Sequence, residues 1–495
     1  MLAPHMIVGL SGPRILDEER DLLSEYPFCG VILFDRNVSD ARSLMELTRE
    51  VRRVFREAHG GVPLIAADHE GGVISVLGRA IGVPPTQMAA ARTGEERLCE
   101  RLFAENARRM RASGVNLLLG PVADVNSDRR NPVIGTRSFG EDPALVSALV
   151  SAAVSAARKE GVLTCLKHFP GHGSSSIDSH LALPVLGSTL GELREKDIPP
   201  FASGIAAGAE IVMMGHVAPF GRRLPASLDP EIIGGLLRGE LGFGGVVMTD
   251  ALEMEGVKVA GLGEICARAL GAGNDILLFS KPVAEAAGQF AGAGCSTGRD
   301  ELRDVCSALT LRPSFDRIGA LLGIAAGKER EFELPADPGV YEEIAAKSIR
   351  VSRGAEPAPP IDPEKGFSAV FYAGKGEFER YPVKSFIARV LKGLGAAAER
   401  CEPEPYDAAP PGAPGLEARI FSSRAEREPF DVVFLLNRGP LEADAVRFLA
   451  LRARIVVVAG WPYAAEIIPP GKTVIVTYGV YAAAADAVGK SILKT

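Results

Sequence analysis

The chain has 495 residues, 47% of them hydrophobic, and a formal net charge of −7. That length accommodates a large barrel with a second domain, and the mild acidity, without a long basic run, argues against nucleic-acid binding. No run of about eighteen apolar residues predicts a membrane span, the first residues lack the pattern of a secretory signal, and seven scattered cysteines without a C-x-x-C pair predict free thiols in a reducing cytoplasm.

Eight short apolar runs follow one another at 6–11, 30–35, 63–68, 115–121, 162–168, 211–216, 245–250 and 275–279. Each is nearly continuous in apolar character, as expected of a strand buried on both faces of a parallel sheet. Helical patterns lie between them, for example at 40–58 and 143–161. Eight strand–helix units in the first two thirds of the chain predict an α/β fold of the (β/α)8 TIM-barrel type over 1–340. On periodicity alone, a doubly wound open sheet is the alternative. A Pro-rich stretch at 354–366 and four more apolar runs, at 367–374, 431–437, 454–461 and 473–479, predict a smaller α/β sandwich domain over 341–495. A low-order stretch at 402–415 interrupts it. This second part has no histidine and no acid-rich cleft motif, so chemistry is expected in the barrel.

The predicted strand ends are polar. Asp68 follows the third strand and Asp124 the fourth. Lys167 and His168 end the fifth, His216 the sixth and Asp250 the seventh. Charges converging on one rim are costly unless they face a polar ligand or each other. Each also has a plain structural reading. Asp68 and Asp124 read as helix N-caps, His216 as a hydrogen-bonded wall residue, and Arg137 as a partner of Glu141 or Asp142 across a turn. The segment "KHFPGHGSSSIDSH", 167–180, holds three of the seven histidines. Zinc would need rigidly spaced ligands, and a phosphate cradle would need a glycine turn feeding a helix. Asp178-x-His180 offers a third chemistry, a carboxylate that orients an imidazole for proton transfer. The glycines and serines before it read as joints that let this arm swing, and His172 as an organiser of the loop.

Taken together, "GVILFDRN", "LIAADHEGG", "LGPVADVN", "NPVIGTRSFGEDP", "KHFPGHG" with "DSH", "MMGHVAP" and "GGVVMTDALEME" resemble family 3 glycoside hydrolases, in their β-N-acetylglucosaminidase branch. "VVVAGWPYAAEIIPPGKTVIVTYG", 456–479, resembles the second domain of two-domain members. The resemblance implies retaining exo-hydrolysis of terminal β-linked N-acetylglucosamine, typically from peptidoglycan fragments such as GlcNAc–MurNAc and GlcNAc–anhydro-MurNAc. It implies Asp250 as the nucleophile, His180 as general acid/base and Asp178 as its dyad partner. It also implies Asp68, Arg137, Lys167 and His168 as sugar-binding residues. No metal or other cofactor, no nucleic acid and no membrane enter this reading. A cytoplasmic monomer acting on a carbohydrate is expected. Rival readings are a phosphorylase of the same branch, a β-glucosidase, a metal-dependent barrel hydrolase and a non-catalytic sugar-binding relative. Val73 and Val76 stand where family members carry arginines, and Arg79 lies three residues later.

Overall fold

The computed structural model describes residues 3–175, 183–222, 224–258, 260–286, 312–328, 339–352, 368–374, 381–393, 404–405, 416–422, 430–436, 446–447, 450–451 and 453–492. In chain order the strands of the first half are β1 (Met6–Gly9), β2 (Gly30–Leu33), β3 (Leu64–Ala67), β4 (His69–Gly71), β5 (Ile74–Ser75), β6 (Leu117–Leu118), β7 (Leu163–Phe169), β8 (Ile211–Met214), β9 (Val246–Ala251) and β10 (Ile276–Pro282). All but β4 and β5 form one closed parallel barrel in sequential order, with β1 beside β10. The barrel of the sequence reading is therefore present, and the open sheet is not. β4 and β5 form a hairpin inserted after β3.

The strands read as continuously apolar because both of their faces are covered. Ile7, Ile32, Leu64, Leu117, Leu163, Ile211, Val246 and Ile276 belong to one buried cluster that fills the barrel. Their alternating neighbours, among them Val8, Val31, Ile65, Leu118 and Val212, pack instead against the outer helices. The helix Ala41–His59 shows how those outer elements are set. Asp40 accepts a bond from the Ser43 amide, and Gly60 at φ 70° closes the C-terminus. Its buried Leu44, Leu47, Val51, Val54 and Phe55 fall on one face at helical spacing. In the helix Pro143–Lys159, Asp142 is the N-cap and does not pair with Arg137.

The second half carries a seven-stranded sheet. Its strands are β11 (Arg350–Ser352), β12 (Ser368–Gly374), β13 (Glu404–Pro405), β14 (Leu416–Ser422), β15 (Phe430–Leu435), β16 (Ala453–Val458) and β17 (Thr473–Val476). The four apolar runs of the sequence are β12, β15, β16 and β17, which pair in parallel at its centre. β11, β13 and β14 add antiparallel strands that were not expected. β13 falls inside the stretch read as low order. Two residues against β14 are too short to leave a periodic pattern. Among the described residues, no helix is long and apolar enough to cross a membrane, and Cys29, Cys99, Cys165 and Cys266 are buried and outside any disulfide.

Neighbouring barrel strands approach so closely at Gly30 that a Cβ there would lie 2.2 Å from the Leu64 carbonyl oxygen. Gly30→Ala should cost about 1–3 kcal/mol through overpacking. Gly12→Ala, which meets open space, should be neutral. Urea-unfolding midpoints of the two variants check this.

Candidate active site

Inward positions on a barrel strand recur every second residue. On β3 the interior cluster holds Leu64 and Ala66, so the next inward position is Asp68. On β7 the column is Leu163, Cys165 and then Lys167, and on β9 it is Val246, Met248 and then Asp250. Three apolar columns thus end in three charged groups on the C-terminal rim, the face on which barrel enzymes carry their chemistry.

Lys167 is buried, and its Nζ lies 2.5 Å from both Asp68 Oδ1 and Glu70 Oε1. Glu70, on the β4–β5 hairpin, also receives a two-pronged grip from Arg137. Nε lies 2.7 Å from Oε2 and Nη2 lies 2.9 Å from Oε1. Burial alone would raise the Glu70 pKa. The adjacent Arg137 and Lys167 outweigh it and bring it down to about 2. Burial likewise opposes the charged forms of Lys167 and Arg137, yet the carboxylates beside them push both upward. Arg137 therefore pairs with Glu70 rather than with Glu141 or Asp142. Its Nη1 donates to the Val133 carbonyl at 3.1 Å, and its Nη2 lies 3.4 Å from His168 Nε2.

His168 is fixed from its other side. Nδ1 lies 2.7 Å from Asp124 Oδ2 and donates to that carboxylate, while Nε2 faces Arg137. Asp124 is fully buried and caps no helix. It also accepts the backbone amides of His168 and His172, the latter at 2.7 Å. Against its burial, His168 and these bonds hold its pKa below the usual carboxylate range. His172 organises the segment through its backbone, with its carbonyl accepting from Asn131 Nδ2 at 2.8 Å. Burial, and then the neighbouring His168, push the pKa of its ring down to about 4.

The first half of the 167–180 segment is packed into the protein. Gly171, His172, Gly173 and Ser175 are buried. A Cβ on Gly173 would lie 1.7 Å from the Val125 carbonyl oxygen, so this glycine permits close packing rather than movement. Asp178 and His180 lie outside the described residues.

Asp250 is half-buried at the end of β9. Its Oδ1 accepts the Ala251 amide at 2.8 Å. Burial opposes its charge, but His168, His216, that amide and Lys167 together lower its pKa. His216 is fully buried and does serve as a wall residue. Nε2 meets the Ala251 carbonyl at 3.0 Å and Nδ1 meets Ser227 Oγ at 2.8 Å. Burial keeps its pKa below the ordinary value. Val73 and Val76 pack against the main core, and Arg79 is exposed on the short helix Gly78–Ile81.

The sequence reading missed Glu70. The signal was there: a second carboxylate two residues from Asp68 in a buried stretch requires cations, and Lys167 and Arg137 were already in view.

The family model "Glycosyl hydrolase family 3 N terminal domain" matches residues 3–299. The chain therefore belongs to glycoside hydrolase family 3. A protein of Stenotrophomonas maltophilia (strain K279a) named "Beta-hexosaminidase" is 37% identical over 287 residues, which cover 56% of this chain and 83% of that one. A solved family 3 β-N-acetylglucosaminidase from Paenibacillus sp. str. FPU-7 aligns at a TM-score of 0.81 and 26% identity, covering 100% of this chain and 96% of that one. A β-glucoside phosphorylase, BglX, aligns at a TM-score of 0.74 over 99% of this chain and 91% of that one, and its 20% identity speaks to the fold alone. The protein is a glycoside hydrolase, and its substrate is a carbohydrate.

Glu70→Gln leaves two buried cations short of a counter-charge and should cost about 3–5 kcal/mol at neutral pH. Folded Glu70 binds its proton less readily than the unfolded chain, so its contribution is present above pH 4.5 and fades as pH falls toward 2. The gap between wild type and Glu70→Gln in denaturation midpoints should therefore be widest above pH 5 and shrink steadily below pH 4.

Proposed function

We propose that the chain is a retaining exo-β-N-acetylglucosaminidase that removes terminal β-linked N-acetylglucosamine, with peptidoglycan fragments as substrate. The observation that carries this reading is Asp250. It is a half-buried carboxylate on a rigid strand end, kept ionised by cationic and hydrogen-bonding neighbours, as a nucleophile must be. The sugar class rests on the named relatives, a β-hexosaminidase and a β-N-acetylglucosaminidase.

In the first step Asp250 attacks the anomeric carbon while the bond to the leaving oxygen breaks. His180, oriented by Asp178, gives that oxygen its proton. In the second step the same imidazole takes a proton from water. The water oxygen attacks the anomeric carbon and the Asp250 carboxylate is released, so two inversions give net retention. Asp68, Lys167, Arg137 and His168 bind the terminal sugar. The preset Asp68–Lys167 and Arg137–Glu70 pairs give these side chains one geometry before substrate arrives, which lowers the ordering cost of binding. We further assign the barrel to a catalytic domain over 1–340 and the seven-stranded sheet to a second domain over 341–495.

Asp250→Asn should reduce turnover of a chromogenic β-GlcNAc substrate to below about 1% of wild type. Near-normal turnover contradicts the nucleophile. His180→Ala should slow hydrolysis about 10²–10⁴-fold, with a smaller loss on aryl glycosides whose leaving groups need no proton. Products analysed with and without inorganic phosphate should be free GlcNAc in both, whereas GlcNAc 1-phosphate would mark a phosphorylase instead.

A further inference from the structure

The loop that carries Arg137 is held from outside the barrel. Between β16 and β17 the second sheet presents Trp461 and the short helix Pro462–Glu466. Trp461 Nε1 donates to the Arg129 carbonyl at 2.8 Å. Arg129 lies 5.0 Å over the Tyr463 ring and forms ion pairs with Glu141 and Glu466. Tyr463, 7% exposed, reaches further in. Its hydroxyl donates to Glu141 Oε1 at 2.6 Å and accepts from Asn126 Nδ2 at 2.9 Å.

The direction of this relay is fixed. The Gly135 amide can only donate, so it must meet Asn126 Oδ1, at 3.2 Å. That turns Asn126 Nδ2 toward Tyr463, whose oxygen must accept. The tyrosine proton then goes to the Glu141 carboxylate. Gly135 opens the one-turn helix Gly135–Arg137, at a φ of 46°. Asn126 is fully buried, so its amide has no water to replace a lost partner.

We propose that Tyr463 is a positioning residue for the sugar site, setting Arg137 through Asn126 and the Gly135 turn. The second sheet thereby controls substrate affinity without touching substrate. This rests on the reading of Arg137 as a sugar ligand. Without the hydroxyl, Asn126 loses its acceptor, the Gly135 turn loses a fixed anchor, and the Arg137 fork relaxes. Asp250 and the 167–175 segment are held by other bonds and keep their places.

The test measures kcat and KM for an aryl β-GlcNAc substrate in the full-length wild type, Tyr463→Phe, Arg137→Lys and the double variant. Tyr463→Phe retains the ring that packs under Arg129. It should raise KM about 10-fold, the effect of losing one buried hydrogen bond's worth of alignment, with kcat within about 3-fold of wild type. In the Arg137→Lys background, where the fork is already gone, Tyr463→Phe should change KM less than about 2-fold. An unchanged KM for Tyr463→Phe, even with a lowered melting temperature, reduces the residue to a structural contact and overturns the proposal. An equal rise in both backgrounds shows that the effect does not pass through Arg137, and also overturns it. A wild-type KM for Arg137→Lys overturns the sugar-ligand reading itself, and the proposal falls with it.

Discussion

Two carboxylates and two cations packed on one rim, with Glu70 and Lys167 buried and Asp68 and Arg137 partly so, govern this structure. Glu70 sits between Lys167 and Arg137, and Lys167 also reaches Asp68. None of the four is tolerable alone in a low-dielectric setting. Together they balance, and their mutual demand for geometry joins three separate elements. Asp68 and Glu70 follow β3, Arg137 comes from the loop after β6, and Lys167 comes from β7. Such a cluster adds little net stability over an apolar core of equal volume. What it contributes is a rim with one arrangement of charge, next to the carboxylate proposed to react.

The second polar layer extends from that cluster. Asp124 binds the His168 ring and two backbone amides, which orients the imidazole and packs the start of the 167–180 segment against the barrel. His168 and His216 then flank Asp250 and favour its ionised form. A nucleophile in a partly buried site needs such neighbours, since burial by itself would raise its pKa and silence it at neutral pH.

Much of this was legible in the sequence, and what was missed has a physical cause. Asp68, Lys167 and Asp250 each continue an every-second-residue column whose earlier members are apolar, so a strand assignment alone turns them inward. Glu70 escaped because it belongs to a hairpin whose strands are three and two residues long, where periodicity carries no signal. Arg137 was visible as a cation, but acids next to it in sequence competed for it on paper. Asp142 caps a helix instead, and Glu141 turns toward Tyr463. The glycines at 171 and 173 look like joints in a string of letters. In three dimensions Gly173 marks a close approach to the Val125 carbonyl. The reach of Tyr463 to Asn126 spans 337 residues of chain, and no local pattern encodes a contact of that range.

The central claim is covalent catalysis by Asp250. The direct measurement is peptide mapping by mass spectrometry after incubation with a fluorinated GlcNAc donor whose glycosyl-enzyme hydrolyses slowly. One sugar should be found on the peptide containing Asp250, with the β-configuration of the starting glycoside retained in the eventual product. A sugar on any other carboxylate, or product of inverted configuration without an adduct, would contradict the mechanism at its root.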